Sequence, residues 1–310
     1  MTLRTWRRSR GFSMVELLIA LSIGVILAMA ATQLFVTNTL TMSMQRSLND
    51  VQDSGRYALD FITGEVRYLW KPDAAGLVRP GIIFQVADIP SLASSSTVTT
   101  MLSREASTAL GIGASDDFTI QYTTATNTYD CEGNLVPATG TPRGMLVVEH
   151  YFVRAATAAE GGAPAALACD GGYVDPNQTP EKAINLGDAG IVLVPSIDSF
   201  QVLYGVVDPY PLAGTNTNAP TYRTPTHYVN ATQYNTLVTA AAAAGTKSPA
   251  VTTVSIGMLV RSTEASNNAK MATTQSIRVL DAPIAASSIP NDGRMRRLFQ
   301  TTIALRNSML

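Results

Sequence analysis

Hydrophobic residues dominate one long run near the start of the chain. Residues 12–36 read FSMVELLIALSIGVILAMAATQLFV. A membrane-spanning helix needs roughly 20 predominantly apolar residues, so this run is long enough to cross a bilayer. It is preceded by four arginines, Arg4, Arg7, Arg8 and Arg10, and the next basic residue is Arg46. Because basic flanks remain in the cytoplasm, we expect residues 1–11 to stay there and the C-terminal bulk to be exported.

After residue 36 the hydrophobic positions become periodic. They recur mostly three, four or seven residues apart, as on one face of a helix, at Met44, Leu48, Val51, Ala58, Ile62, Val66 and Leu69. Lys71-Pro72 is expected to end this helix, since proline disfavours a helical conformation in the residue before it. Gly55 and Gly64 are expected to weaken it, each by about 1 kcal/mol relative to alanine. The pattern predicts one helix from Phe12 to about Leu69, apolar over 12–36 and amphipathic over 37–70.

From about residue 71 the periodicity changes to short β-rich runs separated by segments rich in Gly, Pro and Asn. Strands are predicted over residues 81–86, 118–123, 145–153, 191–207, 252–261, 275–279 and 298–305. Loops are predicted over 124–144, 155–190 and 208–226, and alanine-rich residues 239–244 predict a short helix after 232–238. No repeat or linker divides residues 71–310, so we expect one large β-rich globular domain and an α+β fold.

The charge of the chain is uneven along its length. The formal net charge of −1 includes the four N-terminal arginines. Without residues 1–11 the net charge is about −5. A mature surface of that sign gives no electrostatic reason to expect nucleic-acid binding.

The chain contains two cysteines, Cys131 and Cys169. Their wide separation, with no histidine at ligand spacing, is not that of a metal site. Outside the cytoplasm a disulfide is favoured, and closing a loop of roughly 39 residues would stabilise the fold by about 4 kcal/mol in the chain-entropy model. Both cysteines fall in predicted loops, so the bridge is expected to tie loop to loop. Two free, buried thiols are the alternative.

Glu16 is the one charged residue inside the apolar run. A carboxylate in that position costs several kcal/mol unless it reaches the lipid headgroups or is paired. A positive partner supplied by a neighbouring helix would remove this cost. An amine created by cleavage just before Phe12 would be such a partner.

The residues that surround this carboxylate, RGFSMVE from Arg10 to Glu16, closely resemble the class III signal of type IV prepilins. The resemblance implies that prepilin peptidase cleaves between Gly11 and Phe12 and methylates the new amino group of Phe12. It also implies that Glu16 helps to register subunits in the filament. Arg7, Arg8 and Arg10 would supply the leader charge.

Two other interpretations of the apolar run stay open at this point. An uncleaved signal anchor would keep its leader, with Glu16 facing the headgroups. An ordinary secretory signal would be cut after the apolar run, near Ala28, Ala30 or Ala31.

Later segments resemble the PilW family of minor pilins in particular. They are residues 53–61 (DSGRYALDF), 199–208 (SFQVLYGVVD), 254–262 (VSIGMLVRS) and 297–307 (RLFQTTIALRN). The resemblance implies a pilin-like architecture, in which a long N-terminal transmembrane helix packs on a large β-rich globular domain. It implies a subunit anchored once in the inner membrane, with a periplasmic domain, that later joins the pilus at or near its tip.

The same resemblance indicates the partners of the chain. They are prepilin peptidase, other minor pilins and the major pilin, the inner-membrane assembly platform and the lipid bilayer. Two other roles remain open. One is a minor pseudopilin of a type II secretion system, which shares the leader, the helix and the β-rich domain. The other is a tip adhesin that binds through exposed aromatic residues such as Tyr210, Tyr222, Tyr228 and Tyr234.

The sequence does not favour an enzyme. His150 follows Glu149 within a predicted strand, so their side chains are expected to point to opposite faces. His227 lies in a predicted loop with no nucleophile or acid at a telling spacing, and no phosphate-binding loop, HExxH or GxSxG motif is present. The segment after Asp208 carries a single carboxylate and is a poor calcium loop. We therefore expect no catalytic residue, no metal and no cofactor.

Overall fold

The fold is given by a computed structural model, which describes residues 11–70, 76, 79–88, 101–138, 144–175, 182–207, 225–246, 248–266 and 275–305. Its α-helices are α1 (Met14–Val66) and α2 (Ala231–Ala243). Its strands are β1 (Arg104–Thr108), β2 (Ser115–Thr124), β3 (Thr128–Tyr129), β4 (Leu135–Val136), β5 (Met145–Arg154), β6 (Ala166–Asp175), β7 (Lys182–Ile184), β8 (Ile191–Val194), β9 (Ile197–Val207), β10 (His227–Val229), β11 (Ala250–Arg261), β12 (Ile277–Val279), β13 (Ala282–Ile284) and β14 (Arg296–Ala304). Short 3₁₀ turns occupy Val86–Asp88, Ala158–Glu160 and Ala286–Ser288.

Among the described residues, the strands form two larger antiparallel sheets and two small hairpins. The first sheet has the order β1-β2-β5-β6-β7, and β8 also pairs with β6. The second has the order β10-β9-β11-β14. The strands β3 and β4 pair with each other, as do β12 and β13. The two sheets share one hydrophobic core, in which Phe118 from β2, Tyr151 from β5 and Phe200 from β9 are fully buried.

The second half of α1 packs on this core along a single stripe. The stripe buries Ser47, Val51, Gly55, Ala58, Ile62 and Val66, and it lies against β8, β11 and β14. Leu69, just beyond the helix, is buried in the same core. Met44 is exposed, so the packed stripe is shorter at its N-terminal end than the sequence pattern predicted. The long helix joined to a β-rich domain confirms the predicted α+β, pilin-like fold.

Gly55 allows the helix to approach the sheet closely. A Cβ atom at this position would overlap the ring of Phe299 on β14. At Gly64, on the same helix, a Cβ atom would meet nothing within 4 Å. Helix propensity predicts that both glycines weaken the helix equally. In the structure, only Gly55 is required by a tertiary contact, the close approach of Phe299.

Several predicted elements differ from the structure. Residues 166–175 form β6, a central strand, although a loop was predicted over 155–190. Residues 81–86 contribute only an isolated bridge between Ile82 and Ile120, not a strand. The predicted strand 191–207 is divided at Pro195 into β8 and β9, which belong to different sheets. The helix ends at Val66, and Lys71 and Pro72 lie outside the described residues.

A buried ion cluster joins three strands at one end of the second sheet. Asp198 on β9 is fully buried; its Oδ1 accepts from Arg261 Nη1 at 3.1 Å and its Oδ2 from Arg296 Nε at 2.6 Å. Arg296 Nη2 also donates to Asp292 Oδ2 at 2.7 Å. Each buried charge therefore meets an opposite charge, which offsets its desolvation cost.

Carboxylates at the contact between α1 and the first sheet have a different environment. Glu149 on β5 is fully buried, and it accepts hydrogen bonds from the hydroxyls of Tyr151 at 2.7 Å and Tyr122 at 3.4 Å. Glu65 on α1 also interacts with the Tyr122 hydroxyl. Burial, reinforced by the Glu65 charge, raises the pKa of Glu149 to about 8. Burial likewise raises the pKa of Glu65. The helix and the sheet thus meet through carboxyl groups that favour their protonated form.

The two helix glycines give a matched pair of substitutions. Gly64→Ala should stabilise the protein by about 1 kcal/mol, because the helix gains a better helix former and meets no obstacle. Gly55→Ala should destabilise it by about 1–3 kcal/mol, because the added methyl group forces Phe299 or the helix to move. Denaturant unfolding of the full chain in detergent measures both changes. Equal stabilisation by the two substitutions would contradict the proposed close contact.

The pKa of Glu149 predicts a pH-dependent stability. Because its folded-state pKa lies above the usual value of 4.5, its contribution is fully present below pH 4.5 and is lost as the pH rises towards about 8. Glu149→Gln should remove this loss. Relative to wild type, the variant should therefore gain about 4 kcal/mol of unfolding free energy between pH 4.5 and pH 8.5. The measurement is the difference in unfolding free energy between wild type and variant across this pH range. A difference that does not change with pH would show that Glu149 ionises normally.

Candidate functional site: the N-terminal segment

The first half of α1 is apolar and uncovered. Met14–Val66 is the one helix among the described residues that is long and apolar enough to cross a membrane, and its most apolar window buries no residue against the rest of the chain. Phe12 is 82% exposed and Met14 86% exposed. Such a surface is stable in lipid or against other apolar helices, not in water.

Glu16 and Ser13 together begin the helix. Ser13 is the N-cap of α1, and its Oγ accepts the Val15 N–H at 3.4 Å. In return, the Ser13 N–H donates to Glu16 Oε2 at 3.5 Å, which completes a capping box. Because the hydrogen bond from Ser13 N–H to Glu16 is long, the carboxylate of Glu16 can still accept hydrogen bonds from another partner. Gly11 and Phe12 precede the helix without regular structure, and Arg7, Arg8 and Arg10 lie outside the described residues.

The hydroxyl groups of the exposed half of α1 are satisfied within the helix. Ser22 Oγ donates to Ile19 O at 2.8 Å, Thr32 Oγ1 to Ala28 O at 2.8 Å and Thr37 Oγ1 to Gln33 O at 2.9 Å. These back-bonds hide polar atoms that would otherwise be costly in a lipid environment. Glu16 is therefore the distinctive polar group at the apolar end of the helix.

Cys131 and Cys169 form the predicted disulfide, with their Cα atoms 6.2 Å apart. The prediction that the disulfide joins two loops was wrong for Cys169. Cys131 lies in the turn between β3 and β4, but Cys169 lies within β6. The bridge therefore fastens the β3–β4 hairpin to the first sheet. Gly171, two residues further along β6, makes room for it, because a Cβ atom there would lie 2.8 Å from Cys131 Sγ.

His150 occupies the environment that the sequence indicated, whereas His227 lies in a short strand and not in a loop. Glu149 faces the core, whereas His150 is buried on the opposite face, where its ring stacks on Phe152 with centroids 4.7 Å apart. His150 Nε2 lies 3.7 Å from Asp117 Oδ2. His227 begins β10, and the Thr226 hydroxyl lies 3.1 Å from its Nδ1. The segment from Asp208 to residue 218 lies outside the described residues.

The capping box was missed from the sequence. Its signal was present, because Ser13 and Glu16 have the S-x-x-E spacing that marks a helix N-terminus ahead of an apolar run. The charge of Glu16 by itself indicates only a need for an external partner. In the structure, the same carboxylate also has a local role in starting the helix.

Comparison with solved structures finds a type IV-like pilin from Thermus thermophilus, with 16% sequence identity and a TM-score of 0.32. The match covers 71% of this chain and 95% of that pilin. Comparison with curated proteins finds no significant match.

Two family models match the chain, one at each end. The prokaryotic N-terminal methylation motif matches residues 6–32, which include the capping box and the start of the apolar helix. The model of the type IV pilus-assembly protein W matches residues 150–307, from within β5 to the end of β14, which is just over half of the chain. The predicted relationship is confirmed: the chain belongs to the PilW family of type IV pilus-assembly proteins.

Proposed function

We propose that this chain is a minor pilin that is cleaved between Gly11 and Phe12 by prepilin peptidase and methylated at Phe12. Its leader, residues 1–11, lies in the cytoplasm, and its apolar helix first spans the inner membrane. The globular domain, residues 71–310, lies in the periplasm. After processing, the subunit enters the pilus and helps to start its assembly. The role is one of assembly rather than catalysis.

One observation carries this proposal. The methylation motif stands directly before a helix whose first half is uncovered and apolar and whose second half is packed on a domain of the PilW family. A single continuous helix can thus occupy lipid before assembly and the core of a filament afterwards, since both environments accept the same apolar surface. The domain need not refold between the two states.

Glu16 supports the proposal through its charge. In a neighbouring subunit, cleavage before Phe12 creates a positive amino group at the same level of the apolar helix. Pairing of that amine with Glu16 offsets two charges that are each costly in an apolar environment. Pairing also fixes the axial position of one helix against the next, because the energy is gained in one register only.

The match of residues 150–307 to the PilW model supports the pilus rather than a type II secretion system. In this role the subunit contacts other minor pilins, the major pilin and the inner-membrane assembly platform. We place it in the complex that primes the filament, and therefore at or near the tip. Its partners before assembly are the lipid bilayer and prepilin peptidase.

The N-terminal peptide tests processing and destination together. Mass spectrometry of sheared pili should detect a peptide that begins at Phe12 and is heavier by one methyl group. The control is the same peptide from the inner membrane of a strain without prepilin peptidase, which should retain residues 1–11. Cleavage near Ala31, or an intact leader in cells with active peptidase, would overturn the proposal.

A pair of substitutions separates the two roles of Glu16. Glu16→Ala should insert into the membrane but fail to enter pili, because it loses both the capping box and the charge pair. Ser13→Ala weakens the cap by about 0.5–2 kcal/mol but keeps the carboxylate, so it should assemble nearly normally. The measurement is the amount of the subunit in sheared pili relative to the membrane fraction. Equal defects in the two variants would mean that Glu16 acts only as a helix cap.

A further inference from the structure

Three carboxylates from separate segments meet beside the disulfide. Glu132 follows Cys131 in the β3–β4 turn, Asp170 follows Cys169 on β6, and Asp188 lies between β7 and β8. One carboxylate oxygen from each lies within 4.8 Å of the other two. Because Glu132 and Asp170 are each next to a bridged cysteine, the disulfide itself holds them together.

One acid of this cluster and one neighbouring acid have buried carboxylate oxygens without hydrogen-bond partners. Asp170 is 2% exposed; its Oδ2 accepts the Gly187 N–H at 2.8 Å, and its Oδ1 accepts no hydrogen bond. Asp130, in the same turn as Glu132, is 5% exposed, and its Oδ2 also has no partner. A buried carboxylate oxygen without a partner is costly, so Asp170 Oδ1 indicates a positively charged ligand.

The described residues do not balance the charge of the cluster. Arg154 interacts with Asp188, but its guanidinium is held by Glu160 at 2.6 and 2.9 Å. The ring of His150 interacts with Asp170. Burial, with the charges of its acidic neighbours, raises the pKa of Glu132 to about 7. Burial raises the pKa of Asp170 to about 6.

We propose that Glu132, Asp170 and Asp188 bind a calcium ion that fastens the β3–β4 turn and the β7–β8 connection to β6. All three donors are hard oxygens, and the neighbouring sulfurs are committed to the disulfide, which favours Ca²⁺ over zinc. Calcium–oxygen distances of 2.3–2.6 Å allow ligands of one ion to lie up to about 5 Å apart, which fits the observed separations. Backbone carbonyls and water would complete the shell. The affinity should be that of extracellular modules, with a Kd of about 10⁻⁴–10⁻³ M.

The test uses the full chain in detergent, with CaCl₂ as the probe and MgCl₂ at the same concentration for comparison. Calcium should raise the midpoint of thermal unfolding of the wild type at pH 7.5, and titration calorimetry should show one site. Two variants each remove one proposed ligand, Glu132→Gln and Asp188→Asn. Neither side chain is fully buried, so both variants should fold. Each should weaken calcium binding at least about tenfold. Glu105→Gln, an exposed acid on the far edge of the same sheet, should bind calcium as the wild type does.

A second readout separates a ligand from a merely structural residue. Without calcium at pH 8, Glu132→Gln should unfold at the same or a higher temperature than the wild type, because it relieves repulsion among the acids. With calcium, the wild type should become the more stable protein. An unchanged wild-type midpoint at 10 mM CaCl₂, an equal response of Glu132→Gln, or an equal effect of magnesium would overturn the proposal.

Discussion

The contact between the second half of α1 and the β-sheets determines how the rest of the molecule is arranged. A stripe of small and aliphatic residues, from Val51 to Val66, is buried against β8, β11 and β14. Because the helix is continuous from Met14, this contact also fixes the direction in which the domain extends from the apolar half. Gly55 shows how closely the two must approach, since even a methyl group there would overlap Phe299.

Buried charge is handled in two ways in this domain. In the second sheet, Asp198 meets two arginines, and the ionised state is supported by opposite charge. In the first sheet, burial and the charge of Glu65 favour the protonated state of Glu149, although two tyrosine hydroxyls donate hydrogen bonds to its carboxylate. The second arrangement links the helix–sheet contact to pH.

The strands that the sequence predicted correctly are rich in β-branched and aromatic residues, as in β5 and β11. The strand β6 was missed because its sequence, ALACDGGYVD, carries alanine and two adjacent glycines that are typical of a loop. Those glycines serve tertiary contacts: Gly171 accommodates Cys131, and Gly172 lies against the backbone of β7. The run 191–207 was predicted as one strand although Pro195 interrupts it, and its sequence does not show that the two halves pair in different sheets.

The sequence by itself determined the N-terminal apolar helix, the motif around Gly11, Phe12 and Glu16, and membership of the PilW family. The helix and the motif depend on residues a few positions apart, and the family is indicated by several short segments along the chain, so each signal is contained in local sequence. Tertiary structure alone decided that Glu65 lies near Glu149, and that Glu132, Asp170 and Asp188 share one small volume. Residues so distant in the chain interact only after sheet pairing and the disulfide bring their strands together, and sequence spacing carries no record of that.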